Sequence, residues 1–173
     1  MAIKVAVNRA LTAITALPTA AALVNGNLTL LTTATASSSA TLDFTSSIDS
    51  TYDSYLFKFI DIHPSADDTG LTVGFRDGST AYDATKTTTF FRATHGEDGT
   101  SGAVESPQLG TNNDENLNGE LTIYNPSSTT FVKHFIARTL SQNDDGQPDY
   151  VLDHHFAGYF NTTTALTRVQ FKF

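Results

Sequence analysis

Asp153, His154 and His155 are consecutive, and a carboxylate beside two imidazoles is a set from which metal sites and proton relays are built. The residues around them read as a β-strand, in which successive side chains point to opposite faces, so His154 and His155 cannot hold one ion together. His134, on a neighbouring strand, could add a second imidazole to one of them. Strand histidines are more commonly exposed or hydrogen-bonded, and that is the preferred reading. His63 before Pro64 and His95 before Gly96 read as turn residues.

The stretch Asn143-Asp144-Asp145-Gly146-Gln147-Pro148-Asp149 offers oxygen ligands and a glycine. It lacks the alternating ligand spacing and the closing Glu of an EF-hand loop, so a solvated turn is preferred, with calcium at an irregular loop site as the minority alternative. Glycan hydrolysis would need two carboxylates about 5 Å or about 6.5 to 9.5 Å apart, one with a raised pKa. Of Glu97, Glu105, Glu115 and Glu120, the first three stand in a long polar loop where burial is least favoured, and nothing nominates a pair. GxSxG, HExxH and Walker motifs are absent, as is cysteine. The expectation is no enzyme, no metal and no cofactor. Tyr52, Tyr55, Tyr82, Tyr124, Tyr150 and Tyr159 could build a sugar-stacking platform, but strands recruit tyrosine for packing, and packing is preferred.

The elements that must position these residues are strands. From residue 28 onward, β-favouring runs alternate with Gly, Asp, Asn, Pro and Ser clusters. The runs are 28–35, 40–44, 52–63, 71–76, 87–94, 118–124, 130–140, 150–160 and 166–173. In the last, Val169, Phe171 and Phe173 alternate with Arg168, Gln170 and Lys172, one apolar face against one polar face. Tyr55, Phe57 and Phe59 face one way while Leu56, Ile60 and Ile62 face the other, which predicts a central strand covered on both sides. Phe57, Phe59, Phe135 and Phe171 are the predicted core. Asp77-Gly78, Asp98-Gly99, Asp145-Gly146 and Asn125-Pro126 supply turn chemistry, and 95–117 reads as a surface loop. The predicted fold is all-β: a single β-sandwich, jelly-roll-like, over residues 27–173.

Residues 1–26 differ in composition, being rich in Ala and Thr with Pro18 blocking a continuous helix. They read as an extended N-terminal arm, with a short helix over 8–16 as the alternative. Lys4 and Arg9 ahead of an Ala/Leu run, with Ala20-Ala21-Ala22 beyond, also resemble a secretory signal, a weaker reading because the run is interrupted by Thr and Pro. The stretch 10–24 is too short and too polar to cross a bilayer. The chain has 173 residues, enough for one domain with a sizeable core. Only 16% of residues are charged, and the formal net charge of -8 with no Lys/Arg cluster speaks against nucleic acid as a partner.

The stretches SSSATLDFTSSIDSTYDSYLFKFIDIHPSADD (37–68), TKTTTFFRATH (85–95), NPSSTTFVKHFIA (125–137) and AGYFNTTTALTRVQFKF (157–173) carry a resemblance. Over residues 28–173 the chain resembles a family of small β-sandwich proteins encoded by marine tailed phages, virion structural or tail-fibre-like proteins. The resemblance brings no catalytic residues. Its relatives continue beyond the position of Phe173 into a further strand, which implies a sheet edge near the C terminus that something must cover. It implies a non-enzymatic bacteriophage structural protein at the virion surface, and the small size with the lack of a catalytic motif favours a capsid decoration, cement or knob-like protein. The alternative is a receptor- or glycan-binding module of a tail fibre or spike. The expected partners are the major capsid protein or another virion protein and further copies of the chain, a trimer being the natural form, with a host glycan possible and with neither nucleic acid nor membrane. The arm, outside the resemblance, is the expected anchor: Ile3, Val5, Val7, Leu11, Ile14 and Leu17 are apolar at partly alternating spacing, and Lys4 and Arg9 can pair with acids on a partner.

Overall fold

The computed structural model describes residues 28–66, 69–96, 116–143 and 150–173. The chain divides into two units, Met1–Thr33 and Ala34–Phe173. In the first, residues 28–33 are exposed and take no regular secondary structure, so the run at 28–35 is not a strand. Leu28 and Leu30 are exposed, so this run buries no apolar face of the kind that stabilises a strand in a sheet. The eight anchor residues of the arm, and the Asp98-Gly99 and Asp145-Gly146 turns, lie outside the described residues.

The second unit is all-β. Its strands are β1 (Leu42–Phe44), β2 (Ser54–Ile62), β3 (Thr72–Arg76), β4 (Lys86–Gly96), β5 (Leu117–Tyr124), β6 (His134–Asn143), β7 (Tyr150–Phe160) and β8 (Arg168–Lys172). They form two antiparallel sheets, one of order β1-β8-β3 and one of order β2-β5-β6-β7-β4. Strands β1 to β4 alternate between the sheets and β8 returns between β1 and β3, the jelly-roll-like part, while β5, β6 and β7 run as a simple meander.

Two expectations change here. β2 is an edge strand of the larger sheet, not a central one. Its apolar outer residue Ile60 is 71% exposed, beside a bulge where Asp61 takes a positive φ and the register with β5 shifts. Asn118 braces that bulge, its Oδ1 accepting from the Asp61 amide at 3.0 Å. The last strand, conversely, is no edge: β8 is paired on both sides, by Leu42↔Phe171 and Val73↔Phe171. Run lengths and periodicity specify strands, but pairing order depends on contacts far apart in sequence and leaves no local trace.

The core lies between the sheets, where Phe75, Val169 and Phe171 of the smaller meet Leu121, Ile123, Phe135 and Phe160 of the larger. The aromatic contacts are edge-on: Phe75 and Phe160 have ring centroids 4.6 Å apart, and Phe44, Phe57 and Phe59 all lie within 6 Å of Phe171 or one another. Phe135 and Phe171 are buried as expected, and Phe57 and Phe59 are half-buried against the same cluster. Gly158 is required where Phe135 crosses β7, since a Cβ there would meet the ring at 2.7 Å and the Thr87 carbonyl oxygen at 2.3 Å.

Candidate interaction surface

The larger sheet has a second face, turned away from the core, and strand alternation decides what it displays. On β6 the outward residues are His134, Ile136, Arg138 and Leu140, and on β7 they are Val151, Asp153, His155, Ala157 and Tyr159. The register aligns them in rows across the sheet. One row runs Lys58, Glu120, Arg138, His155, Phe91, and the next runs Leu56, Thr122, Ile136, Ala157, Thr89. Phe91 is 68% exposed, Ile136 53% and Leu140 50%, and Val151 and Tyr159 are exposed beside them. Contiguous exposure of large apolar side chains is uncommon on a monomer and marks surfaces that bind.

Within this apolar face stands one polar cluster. Arg138 donates two hydrogen bonds to Asp153, Nε to Oδ1 at 2.9 Å and NH2 to Oδ2 at 2.7 Å, and His155 Nε2 lies 3.2 Å from the same Oδ1. The Arg138 hydrogen bond holds the Asp153 carboxyl below its ordinary range and raises the Arg138 guanidinium above its own. The ring of His155 is stacked on Phe91, centroids 5.1 Å apart and planes at 11°. The guanidinium and the imidazole engage the same carboxylate, which ties β6 to β7 on this face.

The chemistry-bearing residues of the sequence are thereby separated. His154 and His155 do face opposite sides, His155 outward and His154 into the interior. His134 does share the outer face with His155, but it stands opposite Tyr159, four residues along β6 from Arg138, the partner of His155, so the two imidazoles do not meet. Among the described residues no three His, Asp or Glu side chains could hold a metal ion. The acidic loop and three of the glutamates lie outside the described residues, and Glu120 stands on the outer face opposite Arg138. Among the described residues, no helix is long and apolar enough to cross a membrane.

Of the tyrosines, Tyr55 packs in the interior: its ring is buried, and its hydroxyl donates to Asp49 and accepts from the Asp49 amide at 3.1 Å. Tyr124 and Tyr159 instead remain exposed, on the walls of a shallow apolar concavity of about 320 Å³ that Thr87, Thr89, His134 and Ile136 also line.

Two polar residues that turn into the interior carry no signal in the sequence. Lys133 is 1% exposed, and its Nζ donates to the carbonyls of Thr162 and Thr164, which ties the β7–β8 connection to the start of β6. Arg92, opposite His154 on the inner face, is the second. Neither a protein-family model nor a curated protein nor a solved structure gives a significant match to this chain.

Proposed function

We propose that the chain is a non-enzymatic virion structural protein of a bacteriophage, a capsid decoration or knob-like protein that works by contact. The observation that carries this reading is the outer face of the larger sheet, where Phe91, Ile136, Leu140 and Val151 lie exposed around a closed Arg138–Asp153–His155 cluster. A surface of that kind binds another surface, since it offers contiguous apolar area. The resemblance over residues 28–173 supplies the setting, and the arm at 1–26 supplies a tether to the major capsid protein or another virion protein. Reconstitution tests this. Purified chain added to particles stripped of it rebinds at stoichiometric occupancy, and a chain lacking residues 2–24 stays folded but does not rebind. Full rebinding by the truncated chain shows that the tether lies elsewhere, and no rebinding by the intact chain refutes the reading.

A receptor- or glycan-binding module of a tail fibre or spike is the second reading, favoured by Tyr124 and Tyr159, which both line the 320 Å³ concavity. Saturable binding of a host polysaccharide, lost in Tyr159→Ala, would select it over the first.

A further inference from the structure

Arg92 and His154 are register partners on β4 and β7, on the face of the larger sheet that turns inward. All three guanidinium nitrogens of Arg92, and Nε2 of His154, are buried without a hydrogen-bond partner. A guanidinium keeps its charge and offers five donors, and an ion held out of water with nothing opposite it is strongly disfavoured. Arg92 has an evident way out. β4 is an edge strand, the side chain is long, and the residue as a whole is only half-buried, so its charged end could reach water. It turns inward instead, toward a histidine that is 2% exposed.

The side chains around these nitrogens have a defined chemistry. Phe90 stacks on His154 with centroids 5.6 Å apart and on Phe156 at 4.9 Å, and Phe90 is itself about half exposed, so an aromatic step leads from solvent to the buried nitrogens. Thr139, opposite His154 on β6, and Ser141 bring buried hydroxyls to the same face. The carboxylates of β5 and β7, Glu120 and Asp153, both stand on the other face of the sheet.

We propose that Arg92 and His154 form a binding site for a single carboxylate group, carried by a small organic acid that enters beside Phe90. The guanidinium fork matches the two oxygens of a carboxylate in parallel hydrogen bonds, and His154 Nε2 can donate a third. Phe90 and Phe156 cover the apolar body of the acid. Burial, and then Arg92, lower the pKa of His154 to about 4, so near neutral pH the positive charge of the pair is that of Arg92. One positive charge is matched by a monoanion and over-matched by a phosphate dianion.

The test uses the full chain with sodium benzoate and sodium acetate, compared with sodium chloride at equal ionic strength. Either carboxylate should raise the melting temperature saturably, by about 5 to 10 °C at a hundredfold excess over its Kd, and chloride should not. Arg92→Met should abolish the response while melting no lower than the parent in the absence of carboxylate, because it removes a buried guanidinium that has no hydrogen-bond partner. A direct reading needs no variant: the Arg92 Nε resonance should move with benzoate and stay still with chloride. An unmoved resonance, an equal shift with chloride, or a destabilised carboxylate-free Arg92→Met protein would overturn the proposal, the last by showing that the charge is already compensated within the chain.

Discussion

His155 lies parallel to Phe91, ring centroids 5.1 Å apart, and the pair joins the polar cluster of the outer face to its most exposed aromatic side chain. The imidazole is held from one side by Asp153 and faces Phe91 on the adjacent strand, so the face is ordered before any partner arrives. Preordered apolar area binds at a lower entropic cost than area that must first be fixed.

That arrangement makes stability and contact separable. Phe91→Ser with Ile136→Ser should leave urea-unfolding stability within about 1 kcal/mol of the parent, because both side chains already face solvent. The same double variant should lose particle binding. Phe160→Ala, at a side chain with no exposure, should cost about 3 to 5 kcal/mol. A double variant that unfolds as easily as the Phe160 variant would show that the outer face belongs to the core.

Lys133 makes a different prediction. Its Nζ donates to two carbonyls of the β7–β8 connection, and burial lowers its pKa. Lys133→Met should cost about 1 to 3 kcal/mol through the carbonyls left unpaired, against less than about 0.5 for Lys172→Met on the exposed side of β8. Equal urea midpoints for the two variants would remove Lys133 from the framework.

How much was legible follows from which forces act locally. The strands around Phe57, Phe135, Val169 and Phe171 could be read because alternation and turn residues are local signals. Thr87-Thr88-Thr89-Phe90-Phe91-Arg92 shows no alternation, so the sequence does not reveal that Arg92 points inward and Phe91 outward. That assignment comes from the β7 register, which pairs Phe91 with His155 and Arg92 with His154. Lys133 was illegible for a related reason: a lysine is ordinarily a surface residue, and only the carbonyls of Thr162 and Thr164, about thirty residues away, give it an interior role. The edge position of β2 and the central position of β8 depend on pairing order, which no single run encodes. The opposed faces of His154 and His155 could be read, because adjacent strand residues always alternate.

The pH dependence of stability should bear the mark of His154. In the folded chain its pKa is lowered from 6.5 to about 4 by burial first and Arg92 second. Between those values the unfolded chain binds a proton that the folded chain does not, so stability is complete above pH 6.5 and falls as pH drops toward 4. The contribution of this one group is on the order of 3 kcal/mol. Urea unfolding at intervals from pH 7 to pH 4 should therefore show a shallower decline in His154→Gln than in the parent, and superimposable slopes would contradict the assignment.

The central claim, a contact-making protein on the outside of a phage particle, is tested most directly by seeing where the chain sits. On the proposed reading the gene for this chain lies in a phage genome, and gold-labelled antibody raised against residues 28–173, applied to purified particles of that phage, should decorate them at regularly repeated positions on the head. Label confined to the fibre or spike would select the receptor-binding reading. Particles that carry no label, and no chain by mass spectrometry, would contradict the account.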